Sequence, residues 1–163
     1  MVESLPNSDS PTLRDDDGAL VPEFVASIRE AIRIEDRAAL MHLAGDLHEA
    51  DLGEIIEELE PEERPRLVAI MGADFDFTAL TEVEDSVRED ILEEIPNEDI
   101  AKGVRDLDSD DAVAILEDLE PEDKQEVLAN LPGPERLTIE RSLDYPEGSA
   151  GRLMQTDFIA APP

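Results

Sequence analysis

Leu107-Asp108-Ser109-Asp110-Asp111-Ala112-Val113-Ala114-Ile115-Leu116-Glu117-Asp118-Leu119, followed by Glu120-Pro121-Glu122, is the stretch that decides the fold. Its twin stands earlier in the chain: Leu47-His48-Glu49-Ala50-Asp51-Leu52-Gly53-Glu54-Ile55-Ile56-Glu57-Glu58-Leu59, followed by Glu60-Pro61-Glu62. In both, an apolar pair lies 8 and 9 positions after the opening leucine, and another leucine closes the unit at position 12. This 12-residue register runs unbroken through nine apolar anchors: Leu47, Leu59, Met71, Val83, Ile95, Leu107, Leu119, Leu131 and Leu143. Turn or capping residues follow the anchors, as in Pro96-Asn97-Glu98 and Pro132-Gly133-Pro134. The apolar pairs recur at Leu67-Val68, Ile91-Leu92 and Val127-Leu128.

Offsets 8, 9 and 12 predict one face of a short helix. Each unit is then roughly two and a half turns of helix plus a tight connection. Such a helix is unstable alone and must bury its stripe against its neighbours. The predicted fold is therefore all-α, a solenoid or superhelix of stacked short helices. The unit after Met71 is the odd one: Gly72-Ala73-Asp74-Phe75-Asp76-Phe77 reads as a looser turn with two aromatics.

Upstream, Phe24, Val25, Ile28, Ala31 and Ile32 fall at helical spacing behind Pro22, and a second helix is predicted over about Glu35 to Leu43. Residues 1–21 lack an apolar period and carry Pro6, Pro11 and Asp15-Asp16-Asp17-Gly18, the pattern of a disordered acidic tail. Residues 22–144 form the predicted helical domain. Residues 145–163 change character. Tyr145-Pro146-Glu147-Gly148 has turn chemistry, and Asp157-Phe158-Ile159-Ala160-Ala161 reads as a strand without a partner, the expected start of a further domain.

The chain has 163 residues, with 44 Asp or Glu against 13 Lys or Arg, a net charge of −31. That charge repels nucleic acid and anionic membrane surfaces. Without Cys there is no thiolate metal site or thiol nucleophile. His42 and His48 stand without a nucleophile partner and read as surface or structural residues. No apolar run is long enough to insert in a membrane. No Gly-rich phosphate loop occurs, and no carboxylate pair stands out for catalysis, so the chain does not read as an enzyme.

The placement of the acids carries more. Asp108, Ser109 and Asp110 suit a helix N-terminus, where carboxylates cap exposed N–H groups. Offsets 10 and 11 do not: Glu57-Glu58, Glu93-Glu94 and Glu117-Asp118 fall at helix C-terminal ends, where the dipole disfavours carboxylates by roughly 0.3–1 kcal/mol each. Two explanations remain open at this point. One is solvation, as in proteins of salty surroundings; the other is a cation or cationic partner that lowers the repulsion. An EF-hand is not matched, because Asp106-Leu107-Asp108-Ser109-Asp110 lacks the required Gly. Mg²⁺ needs only one or two carboxylates and keeps its waters, so scattered acids facing another domain would suffice for it.

Tyr145-Pro146-Glu147-Gly148-Ser149-Ala150-Gly151-Arg152-Leu153-Met154 and the residues to Pro163 resemble the junction between the N-terminal domain and the first CBS domain of the MgtE family of magnesium channels and transporters. Residues 48–59 and 107–116 are similar to that family's early and later acidic helices. The resemblance implies a right-handed superhelix of about ten short helices, related in fold to a flagellar motor switch domain. It implies a regulatory domain at the cytoplasmic face of the membrane, part of a homodimeric multi-pass protein. In that arrangement Mg²⁺ bridges the domain's acids to the CBS domains and the connecting helix, and closes the pore. Carried over residue by residue, Asp110 matches a metal-binding carboxylate and Arg152 a metal-contacting backbone carbonyl. Two other family acids fall at Thr78 and Ala114, and Asp108, Asp111 and Asp76 are the candidates to replace them. The alternative function is an α-helical interaction scaffold without a metal role.

Overall fold

A computed structural model of the protein describes residues 11–146 and 149–151. Among them are nine α-helices: α1 (Pro22–Arg33), α2 (Arg37–Ala44), α3 (Glu49–Glu58), α4 (Glu63–Met71), α5 (Asp85–Glu94), α6 (Asn97–Arg105), α7 (Ser109–Glu117), α8 (Pro121–Asn130) and α9 (Gly133–Leu143). Two 3₁₀ helices, Gly72–Asp74 and Phe77–Thr81, stand between α4 and α5. The described residues contain no strand, and the all-α expectation holds. Prolines open α1, α8 and α9, where the missing N–H costs nothing.

The apolar pairs of the repeat face inward as predicted. Ile55, Ile56, Leu67, Val68, Ile91, Leu92, Ile115, Leu116 and Val127 are all buried, while Leu128 is half-buried. The anchors behave differently from the prediction. Leu59, Ile95 and Leu131 do not extend the helical face; they sit just past their helices in extended backbone, at the C-cap. Several turn their N–H back to the carbonyl three residues earlier: Leu47 to Ala44, Leu59 to Ile56, Leu107 to Val104, Leu119 to Leu116 and Leu131 to Leu128, at 3.2–3.3 Å. The anchor thus closes the helix end and plugs the connection into the core. Leu59, Ile95, Leu119 and Leu131 are buried in this position, while Leu47 and Leu107, expected to be buried as well, are half-buried.

Helices pack on elements beyond their sequence neighbours, α6 on α8, α7 on α9, and α1 on α4. In the odd unit, Phe75 and Phe77 meet edge to face at 5.4 Å, and the Phe77 ring lies on Gly103 of α6. A Cβ at Gly103 would come within 2.2 Å of that ring, so glycine is needed for this contact.

Two boundaries differ from the sequence reading. α2 begins at Arg37 because Asp36 is its N-cap, accepting from the Ala39 N–H at 3.0 Å, while Glu35 turns the corner at φ 56°. Of the predicted tail 1–21, residues 1–10 lie outside the described residues, and 11–21 pack against the helices. Asp15 accepts from the N–H groups of Asp17 and Ala19, Arg14 pairs with Asp51 and Glu54 of α3, and Leu13, Leu20 and Val21 pack on the core. Composition hid this, because a single arginine pairing supplies the anchor. The predicted strand 157–161 lies outside the described residues.

Candidate metal centre

The N-terminus of α7 gathers three carboxylates. Asp108 is the N-cap residue and Asp110 and Asp111 occupy the first turn. One oxygen from each lies within 4.8 Å of the others. The helix winds them together: positions N-cap, N2 and N3 fall on one turn, and its positive dipole end offsets part of their repulsion. The expected capping is not what holds them. Among the described residues, the Asp108 side chain takes no hydrogen bond from the N–H groups it would cap, and Oδ1 of Asp110 is buried without a hydrogen-bond partner.

Two further acids come from elsewhere in the chain. Glu49 opens α3, and Glu82 follows the Phe77–Thr81 helix, which packs on both α3 and α7. That packing is close: a Cβ added at Gly53 of α3 would stand 2.8 Å from the Cβ of Glu82. The Asp111 carboxyl is held above the usual aspartate range, first by burial and then by the negative charges of Asp110, Asp108, Glu82 and Glu49. Five acids from three elements therefore share one field, and no lysine or arginine among the described residues is paired with Asp110 or Asp111. Such an arrangement favours a cation and disfavours any anion.

Of the residues singled out in the sequence, the structure joins Asp110 with Asp108 and Asp111. Asp76 does not join them; it is exposed and accepts from the Thr78 N–H at 2.9 Å as the N-cap of its 3₁₀ helix. Thr78 and Ala114 are half-buried and supply no carboxylate. Arg152 lies outside the described residues. His48 is the N-cap of α3, its Nδ1 accepting from Ala50, and His42 is exposed on α2. Glu49 and Glu82 escaped the sequence reading, because no period or motif links them to α7; their approach follows from packing at Gly53.

Residues 47–148 match the family described as the MgtE intracellular N domain. The chain belongs to this family. Among solved structures, it is similar to the soluble part of a magnesium transporter, at 23% identity and a TM-score of 0.67, covering 83% of this chain and 54% of that one. It is also similar to the cytosolic domain of the Mg²⁺ channel MgtE in complex with ATP, at 24% identity and a TM-score of 0.68, covering 80% and 54%. These likenesses establish a shared fold, and this MgtE N domain spans about half the length of those structures. No curated protein matches the chain. No helix among the described residues is long and apolar enough to cross a membrane.

Proposed function

We propose that this chain is the cytosolic Mg²⁺-sensing regulatory domain of a magnesium channel or transporter. The observation that carries the reading is the carboxylate group Asp108, Asp110 and Asp111, with a buried Asp110 oxygen left unsatisfied. Three hard oxygen donors suit Mg²⁺, which accepts a few carboxylates and retains its waters. The divalent charge would offset the repulsion that burial concentrates at Asp111. Within the chain, α7 presents the three groups on one rigid turn, and Glu49 and Glu82 deepen the negative field behind them. The remaining donors would come from CBS domains and a connecting helix of the same dimeric membrane protein, with Arg152 contributing its backbone carbonyl. With internal Mg²⁺ high, the acidic faces hold together and the pore is closed; with Mg²⁺ low, they repel and part.

Asp110→Asn in the full-length protein tests this. Asn removes the charge and keeps the shape and the helix. The channel is expected to need higher internal Mg²⁺ to close, read by patch recording and by Mg²⁺-dependent protease protection of the linker, while the melting temperature of the 163-residue chain changes little. An unchanged Mg²⁺ midpoint in both assays would leave the domain as an interaction scaffold without a metal role.

A further inference from the structure

The unit after Met71 breaks the repeat, and the break opens a cleft. Residues 72–81 run through the two 3₁₀ helices instead of one α-helix, and a cavity of about 510 Å³ is bounded by them, α4, the end of α5 and α6. Pro65, Ala69, Ala73, Pro96 and Leu107 give it an accessible apolar wall, with Phe75 and Phe77 buried beneath. The volume falls within the ~300–1,000 Å³ of small-molecule sites, which are likewise mostly apolar with a few polar groups.

The charge at the rim selects the class of guest. Five carboxylates line the cleft against Lys102 and Arg105. Lys102 is held by Asp99 at 2.8 Å, Arg105 stands 3.6 Å from Asp106, and Asp74 is paired with Arg37. Among the described residues, Glu94 and Asp76 have no basic partner. Glu94 also ends α5, whose last turn holds no basic residue. The N–H of Ile95 makes no backbone bond into α5, unlike those of Leu59, Leu119 and Leu131 into their helices. The negative end of the α5 dipole therefore adds to Glu94 at the mouth of the cleft. The α3 end is covered by Arg29 and Arg64, and Asp118 at the α7 end is paired with Arg88. The α5 end is open.

We propose that this cleft binds an aliphatic polyamine, with ammonium groups at Glu94 and Asp76 and the methylene chain over the Ala69, Ala73 and Pro96 wall. A bare divalent ion fits poorly here, because the walls are largely apolar and the converging carboxylates of the described residues lie at Asp108, Asp110 and Asp111 instead. A neutral apolar guest would leave Glu94 uncompensated. The hydrocarbon stem of a polyamine covers apolar wall while its cations stay at the rim. This site is separate from the proposed Mg²⁺ centre and stands or falls without it.

Calorimetric titration of spermidine into the 163-residue chain tests the proposal, in roughly 150 mM NaCl with millimolar Mg²⁺ present to suppress the diffuse ion atmosphere. One saturable site is expected. Glu94→Gln should weaken it about tenfold, the effect of losing one well-placed charge contact. Ala73→Trp, which fills the cleft from an exposed wall position without altering charge, should abolish it, with circular dichroism confirming the fold. Glu122→Gln on the exposed start of α8, and Asp110→Asn, should leave it unchanged. Absence of saturable binding, equal weakening by Glu122→Gln, or unaltered binding to a folded Ala73→Trp protein would each overturn the site.

Discussion

At the end of α3, Glu57 and Glu58 lie under arginines; at the end of α5, Glu93 and Glu94, at the same offsets of the repeat, do not. Arg64 donates to the carbonyls of Ile56 and Glu57 at 3.1 and 3.3 Å, and Arg29 donates to that of Glu58. Glu57 in turn accepts from the Glu84 N–H at 2.9 Å, tying α3 to the start of α5. The same sewing recurs through the first four helices. Arg66 reaches the Ile32 carbonyl at the end of α1, and Arg37 that of Met71 at the end of α4. From α5 onward, Arg88 alone among the described basic residues makes a comparable long-range link, while Lys102, Arg105 and Arg136 pair with acids close by in sequence. One acidic repeat thus serves two purposes. In the first half its helix ends are neutralised internally and become structure. In the second half Arg88 neutralises Asp118, while Glu93 and Glu94 have no basic partner among the described residues.

The largest test of this contrast is the core beneath it. Leu119→Ala should destabilise the chain by ~2–5 kcal/mol, because the anchor is nearly enclosed. Leu107→Ala should cost clearly less, its side chain being half-buried. Equal losses in urea unfolding would show that the anchors do not differ as described.

Next comes the one arginine link of the second half. Arg88 is 7% exposed and joins Asp118, Asp85 at 2.9 Å and the Leu80 carbonyl at 3.3 Å. Arg88→Met should cost ~1–3 kcal/mol, leaving Asp118 part-buried without its cation. Arg64→Met, on the α3 end, loses hydrogen bonds to carbonyls that water can replace, and should cost ~0.5–1.5 kcal/mol. The reverse order would place the stronger clamp in the first half.

Smaller still is the response to ions. Millimolar Mg²⁺ should stabilise the isolated chain modestly, with slowed amide exchange concentrated on α7, and monovalent salt should reproduce much of the gain by screening. A single tight Mg²⁺ site in this chain alone would contradict a site completed by other domains.

The smallest effect concerns Asp111. Its carboxyl titrates above the usual aspartate range in the fold, so over that window the native state holds a proton that the unfolded chain has lost. Stability then falls as pH rises through the window, and the penalty is complete above it. In chelator-treated buffer, Asp111→Asn should raise the melting temperature slightly at pH 7, and the gain should fade below about pH 4. A gain that persists in acid would assign the effect to something other than charge.

The 12-residue register was enough to predict the helical character of the described repeat units, the length of their helices and the inward pairs such as Ile55-Ile56, because burial of a periodic apolar stripe is local information repeated many times. Asp110 stands out only through the resemblance of residues 107–116 to the family's acidic helix; the register by itself gives it a capping position at a helix start. What it could not reach depends on which residues meet across the stack. The tie from Arg14 to Asp51, the arrival of Glu49 and Glu82 behind Asp111, and the reach of Arg29 to the α3 end and of Arg66 to the α1 end are set by contacts between residues about 30 to 60 positions apart. Periodicity places apolar faces, and it is blind to charge pairing, because any surface carboxylate satisfies the pattern. Only the tertiary packing, close enough at Gly53 and Gly103 to exclude a Cβ, decides which of 44 acids become neighbours and which stay open to a cation.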